Sequence, residues 1–330
     1  MSNQSTQLEV KNLTTCFKTS KGDVVAVDDI SFSIKKGETL CIVGESGCGK
    51  SVSALSVMGL LPTSGYVKSG SAIFQNNDLL LMSSKELEKF RGNRLSMIFQ
   101  DPGSSLNPVM RVGDQVSEIF QIHLNMSKHE GLEKALEMLK QVEIPDPESR
   151  MLAFPHELSG GMAQRIMIAI ALACNPDILI ADEPTTALDV TIQSQILNLM
   201  SEMQLKTQTA IILITHDLGV VAEMADNVLV MYCGQIVEYG DVKKVFNSPI
   251  HPYTKALMKS IPVIGKKTRR LDAIPGRVPS LDMLPSGCRF EKRCIEKNNY
   301  VLTNCQNKIP PIFSLDSLHG SRCWLEKGNE

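Results

Sequence analysis

The sequence predicts an α/β protein: a doubly wound parallel sheet with strands at its opening, a helical insertion and a small appended tail. Three observations carry this. Largely apolar segments at Thr39–Val43, Ile178–Ala181 and Ala210–Thr215 have the length and character of parallel strands buried on both faces. Helical patterns alternate with them at Lys50–Leu61, Gly161–Cys174 and Val190–Leu205, as a doubly wound sheet requires. A glycine-rich segment then joins the first of these strands directly to its helix.

Taken in order, Leu8–Phe17 and Val24–Ile34 read as strands, because they are rich in β-branched and apolar residues and flank the turn Ser20-Lys21-Gly22-Asp23. The helix from Lys50 is expected to end before Pro62. Leu95–Phe99 is a further apolar strand. Val112, Val116, Ile119, Phe120 and His123 recur at helical spacing, and Ser127 with Glu130 forms a capping box ahead of Leu132, Leu136, Leu139 and Val142. These helices make an insertion over roughly 85–165. Beyond about Gly240 the alternation fades. Pro249, Pro252, Pro262, Pro275, Pro279 and Pro285, and the basic run Lys266-Lys267-Thr268-Arg269-Arg270, mark a solvated linker into the tail. The expected domains are 1–240 and 241–330.

At 330 residues with 43% hydrophobic and 21% charged residues, the chain is sized for a large globular domain plus an addition. The net charge of −2 argues against nonspecific nucleic-acid binding, which needs a basic surface. No segment approaches the ~20 apolar residues that span a bilayer. The polar start Met-Ser-Asn-Gln-Ser-Thr-Gln lacks signal-peptide character, so the protein is expected to stay in the cytosol. There, nine cysteines are not a disulfide framework. Cys16, Cys41, Cys48, Cys174 and Cys233 are scattered and read as small core residues.

Gly44-Glu45-Ser46-Gly47-Cys48-Gly49-Lys50-Ser51 fits the phosphate-loop pattern, after a strand and at the opening of a helix. The glycines let backbone N–H groups turn around a phosphate at the positive end of the helix. Lys50 supplies a charge to the β and γ oxygens, and the Ser51 hydroxyl is a candidate Mg2+ ligand. The strand Ile178–Ala181 runs into Asp182 and Glu183. In parallel sheets ligands lie beyond the carboxyl ends of strands. Asp182 is therefore a candidate for holding Mg2+, and Glu183 for polarising an attacking water, although Glu183 could also be a helix-capping acid. This much indicates a P-loop nucleotide hydrolase.

Leu158-Ser159-Gly160-Gly161-Met162-Ala163-Gln164-Arg165 is by itself a plausible helix cap and turn. Lying between a phosphate loop and a strand ending in Asp-Glu, it resembles the signature motif of ABC ATPases. Ser159, Gly160 and Gly161 at a helix N-terminus form an anion site without a lysine, suited to a γ-phosphate delivered by another subunit. Gln100, after Leu95–Phe99, resembles the family's Q-loop glutamine, which touches Mg2+ or water. Ala187-Leu188-Asp189 resembles the D-loop, and His216 the switch histidine at the γ-phosphate. Phe17 stands where the family puts a ring against adenine, with a core role as the alternative. The resemblance covers residues 8–240. It implies an ABC ATPase core with a parallel sheet, an antiparallel β subdomain and a helical subdomain. It also implies ATP and Mg2+ as cofactors, with a second ATPase subunit, identical or a sister, facing the chain head to tail.

His251-Pro252-Tyr253-Thr254-Lys255-Ala256-Leu257 and Ile274-Pro275-Gly276 resemble the C-terminal region of the oligopeptide and dipeptide importer ATPases. So does Asp101-Pro102, continuing to Ser105-Leu106-Asn107-Pro108. This subfamily implies peptides as cargo, with nickel or another small solute as the alternative. It also implies two transmembrane permease subunits, an extracellular or periplasmic peptide-binding protein, and a peripheral place on the cytoplasmic face of the membrane. The spacing Cys288-x5-Cys294-x10-Cys305-x17-Cys323 sets four thiols in polar, proline-interrupted sequence with little core to bury them, which favours metal binding. The resemblance implies a 4Fe–4S cluster there, with zinc open because the second interval is longer than the family's. His319 is expected at the surface. A soluble ABC ATPase of DNA repair or translation is the rival reading, but such proteins carry a long coiled coil or two fused cassettes, and this chain has one cassette.

Overall fold

The computed structural model describes residues 5–185, 189–260, 274–296, 303–316 and 318–329. The chain opens with β1 (Thr6–Thr19), β2 (Gly22–Lys35) and β3 (Thr39–Val43), then α1 (Lys50–Met58), β4 (Gly65–Phe74) and β5 (Asn77–Asp78). Next come α2 (Ser84–Leu87), β6 (Leu95–Ile98), α3 (Pro102–Ser105), α4 (Val112–Leu124), α5 (Lys128–Gln141) and α6 (Pro147–Arg150). The second half carries α7 (Gly160–Leu172), β7 (Ile178–Asp182), α8 (Val190–Thr207), β8 (Ala210–Ile214), α9 (Leu218–Met224), β9 (Asn227–Tyr232) and β10 (Gln235–Asp241). Last are α10 (Val242–Asn247), α11 (Pro252–Lys259), α12 (Asn304–Asn307), β11 (Phe313–Asp316) and β12 (His319–Ser321).

Contacts divide the chain into two units, Met1–Glu9 with Ser33–Thr39 and Ile73–Ile214, and Val10–Phe32 with Leu40–Ala72 and Thr215–Glu330. In the first, β6, β7 and β8 run parallel, with Leu95 opposite Ile178 and Ile178 opposite Ala210. Every residue of β6, β7 and β8 is buried, as a sheet covered on both faces demands. Helices α4 and α5 pack on each other and on α7. Ser127 caps α5 as the sequence indicates, accepting from the Glu130 N–H while the Glu130 carboxylate takes the Ser127 N–H and hydroxyl.

In the second unit, β3 pairs in parallel with β9, Val43 opposite Val230. β9 turns back antiparallel into β10. The tail then adds to the same sheet: β12 lies antiparallel to β10, with Glu238 opposite Ser321, and β11 lies beside β12. In a separate sheet β1 lies between β2 and β4. Helix α1 ends earlier than Pro62 suggests, because Gly59 takes the left-handed conformation and closes the last turn onto Leu55 and Ser56. His319 is buried, against expectation. Its Nε2 lies 2.8 Å from the fully buried Glu238 carboxylate, which also accepts the N–H groups of Ile250 and His251. A buried carboxylate needs such partners, and His319 on β12 supplies one.

Candidate functional site

The phosphate loop lies in the second unit. Its entry strand β3 is wholly buried, so the loop begins from a fixed point. Gly44, Gly47 and Gly49 have φ of 153°, 76° and 103°, conformations that L side chains rarely adopt. Two of the three also have no room for a side chain. A Cβ on Gly44 would lie 2.3 Å from the Met231 carbonyl oxygen, and one on Gly49 would lie 2.7 Å from that of Ala26. Ser46 and Gly47 are exposed at the tip, while Cys48, Gly49 and Lys50 are buried. The Lys50 ammonium is folded back into its own loop, donating to the Gly44 oxygen at 2.8 Å and the Glu45 oxygen at 3.2 Å. Ser51, half-buried, follows it in the first turn of α1. Burial pushes the Cys48 thiol above its ordinary value, so Cys48 packs as a neutral side chain. Phe17 is half-buried, and its ring covers Gly65, where a Cβ would meet it at 3.0 Å. His216 is exposed in the turn before α9.

The carboxylates belong to the first unit. Asp182 is the buried last residue of β7. Glu183 adopts φ 46°, a conformation costing a non-glycine residue about 1–2 kcal/mol, and its N–H donates to the Ile214 oxygen at 2.8 Å. Its side chain meets Gln100, whose amide donates to the Glu183 carboxylate at 3.0 Å. Two residues singled out separately in the sequence therefore meet. Backbone strain of this kind is retained where surrounding structure enforces it, characteristically at functional sites. Glu183 is not a helix cap. Asp189 is one, accepting from the Ile192 N–H at 2.9 Å at the start of α8; Ala187 and Leu188 lie outside the described residues. Ser159 caps α7, accepting from the Met162 N–H at 3.3 Å. Ser159 and Gly160 are exposed and Gly161 half-buried, so the positive end of a thirteen-residue helix faces outward with glycine on its first turn.

The four tail cysteines converge. Cys288, Cys294, Cys305 and Cys323 line one pocket with His251, Phe290 and Trp324 among its walls. The Cys288 N–H donates to the Cys305 oxygen at 2.9 Å, and a Cβ on Gly287 would lie 2.3 Å from that same oxygen, so glycine permits the approach. Burial, with the neighbouring thiols adding to it, pushes both Cys288 and Cys323 up to about 12. None of the four is in a disulfide. Among the described residues no group of three or more His, Cys, Asp or Glu is arranged to hold a metal ion.

Sequence reading missed a set of contacts around Glu45. Arg293, from the cysteine segment of the tail, forks onto the Glu45 carboxylate at 2.6 and 3.0 Å. The Glu45 N–H donates to the Tyr253 hydroxyl at 2.9 Å. Partners 248 and 208 positions apart leave no local signal; the acidic residue in an anion-binding loop was the available hint.

A family model described as ABC transporter matches residues 27–186, and one described as the C-terminal region of oligopeptide/dipeptide transporters matches 237–299. The oligopeptide transport ATP-binding protein AppD of Bacillus subtilis is 50% identical over 329 residues, covering 99% of each chain. The chain belongs to the oligopeptide/dipeptide-type ABC transporter ATP-binding proteins. The oligopeptide transport ATP-binding protein OppD of Escherichia coli is 52% identical over 287 residues, covering 87% of this chain and 85% of its own. Among solved structures, a dimeric ATP-binding cassette in a post-hydrolysis state with ADP and phosphate matches with a TM-score of 0.65. It is 28% identical and covers 71% of this chain and 98% of its own. The fold is thus that of the ABC ATPases, and the chain is an ATPase of that family. No helix among the described residues is long and apolar enough to cross a membrane.

Proposed function

We propose that this chain is the ATP-hydrolysing subunit of a membrane importer of peptides. The observation that carries the reading is the phosphate loop. It is a glycine-shaped loop at the start of α1 with Lys50 buried inside it and bound to its carbonyls. On nucleotide binding, Lys50 exchanges those carbonyls for β- and γ-phosphate oxygens. Ser51 and Asp182 are the hard oxygen donors suited to Mg2+, which supplies charge neutralisation at the phosphates. Glu183 polarises the attacking water; the αL turn and the hydrogen bond from Gln100 support that role. Gln100 touches the metal or that water, His216 the γ-phosphate and Phe17 the adenine. The loop from Gly44 to Gly49 supplies backbone N–H groups, the Glu45 N–H being held by the Tyr253 hydroxyl. Ser159, Gly160, Gly161 and Asp189 serve the nucleotide of a facing ATPase subunit, identical or a sister.

Peptides as cargo rest on the tail match and on the names of the relatives. The partners of this reading are two transmembrane permeases and an extracellular or periplasmic peptide-binding protein, with the chain on the cytoplasmic face. Residues 1–240 form the motor and 241–330 the extension. The four thiols lining one pocket support a soft metal centre there; the family resemblance makes it a 4Fe–4S cluster, with zinc as the alternative. Burial holds the Cys288 and Cys323 thiols above their ordinary range, and a bound cation would favour their thiolates. The test is uptake into vesicles holding the chain with the permeases that copurify with it. Peptide uptake that requires ATP and stops with Glu183→Gln is expected. Nickel uptake without peptide uptake would contradict the cargo, and peptide uptake undiminished by Glu183→Gln would contradict the engine.

A further inference from the structure

Glu45 poses a problem of charge. It is an acidic side chain inside the loop proposed to receive a polyanion, and alone its carboxylate would repel the phosphates. The structure pairs it. Arg293 meets it with both terminal nitrogens in the bidentate geometry that fixes direction as well as charge. The Arg293 side chain is 5% exposed and that of Glu45 28%, so the pair is shielded more than a surface salt bridge, whose worth is small.

Arg293 is itself held. Its Nε donates to the Pro275 oxygen at 2.9 Å, and its guanidinium lies 5.7 Å from the Tyr232 ring centre and 5.9 Å from that of Phe290. Tyr232 and Phe290 pack against Tyr253 at 4.8 and 5.4 Å, and Tyr253 accepts the Glu45 N–H. The loop residue after Gly44 is therefore gripped by side chain and backbone at once. Four positions before Arg293, Arg289 binds the Cys233 oxygen and the Asp28 carboxylate, so the segment bounded by Cys288 and Cys294 is anchored twice.

We propose that Arg293 is a positioning residue for ATP: through the fork to Glu45 it neutralises the acidic residue of the phosphate loop and holds the loop open for the triphosphate. The tail is then part of the nucleotide site. This inference rests on the phosphate-loop reading above.

The experiment is ATP affinity of the purified full-length chain, measured with a fluorescent ATP analogue, for wild type, Arg293→Ala, Glu45→Gln and the double variant. Metal content and near-ultraviolet circular dichroism are recorded for each. Arg293→Ala is expected to raise Kd on the order of tenfold, with turnover at saturating ATP much less affected, while metal content and spectrum stay as in wild type. Adding Glu45→Gln is expected to recover most of the loss, because the uncompensated charge is gone. A wild-type Kd in Arg293→Ala overturns the proposal, and so does a double variant as weak as Arg293→Ala, since the arginine then acts only on the tail. Should Arg293→Ala not fold, Arg293→Lys decides: an intermediate Kd improved by Glu45→Gln supports the fork, and an unchanged Kd overturns it. Failure of the wild-type chain to bind ATP would instead refute the phosphate-loop reading itself.

Discussion

Alanine at Gly44 and at Gly47 should differ sharply in cost although both replace glycine at positive φ in one loop. At Gly44 the new Cβ meets the Met231 carbonyl oxygen at 2.3 Å and the Cys48 sulfur at 2.8 Å, with φ at 153°. Met231 directly follows Val230, which pairs with Val43, so relief requires parting the ends of β3 and β9. Backbone strain of about 1–3 kcal/mol and overpacking of about 1–3 kcal/mol add to roughly 2–6 kcal/mol, a large share of the 5–15 kcal/mol typical of a folded domain. At Gly47, φ is 76° and nothing lies within 4 Å of the Cβ position, so only the left-handed penalty of about 1–2 kcal/mol applies. Urea unfolding of the two variants beside wild type measures both costs. Equal destabilisation by the two substitutions would refute the steric argument.

Three further outcomes are expected. Ser159→Arg, at the exposed start of α7, should leave ATP binding by the monomer intact; mixed with Lys50→Ala in the natural pair, it should leave one working composite site. Loss of ATP binding by the isolated Ser159→Arg monomer would put that motif in cis. Anaerobically purified protein should be brown with iron and inorganic sulfide, and Cys294→Ser should bleach it and lower the tail's resistance to proteolysis; colourless protein with one zinc per chain would replace the cluster by zinc on the same four ligands. Gln100→Ala should lower turnover more than it weakens ATP binding, because its amide orients the Glu183 carboxylate at 3.0 Å; a pure KM effect in steady-state kinetics would deny that role.

Much of the fold was legible because its signals are local. The apolar run of β3, the glycines after it and the Ser127–Glu130 box each lie within a few residues, and each element appears with bounds close to those expected. What escaped depends on distant partners. β9 and β10 are ordinary apolar strands whose place comes from pairing with β3 and with the tail. The tail strands are short and broken by polar residues, so no period marks them, yet β12 extends the sheet from β10 and buries His319 against Glu238. Helix α1 stops at Gly59 because a left-handed cap ends a helix before the proline downstream has to. The meeting of Gln100 with Glu183 and the strain at Glu183 emerge from folding alone. So does the Arg293–Glu45 fork, because nothing in either segment names the other.

The measurement closest to the central claim is phosphate release by the chain and its Glu183→Gln variant at saturating Mg-ATP, with nucleotide binding measured on the same samples. ATP affinity is expected within about threefold of wild type and turnover reduced on the order of a hundredfold or more, the share a positioned general base typically supplies. Turnover near the wild-type rate would contradict that claim.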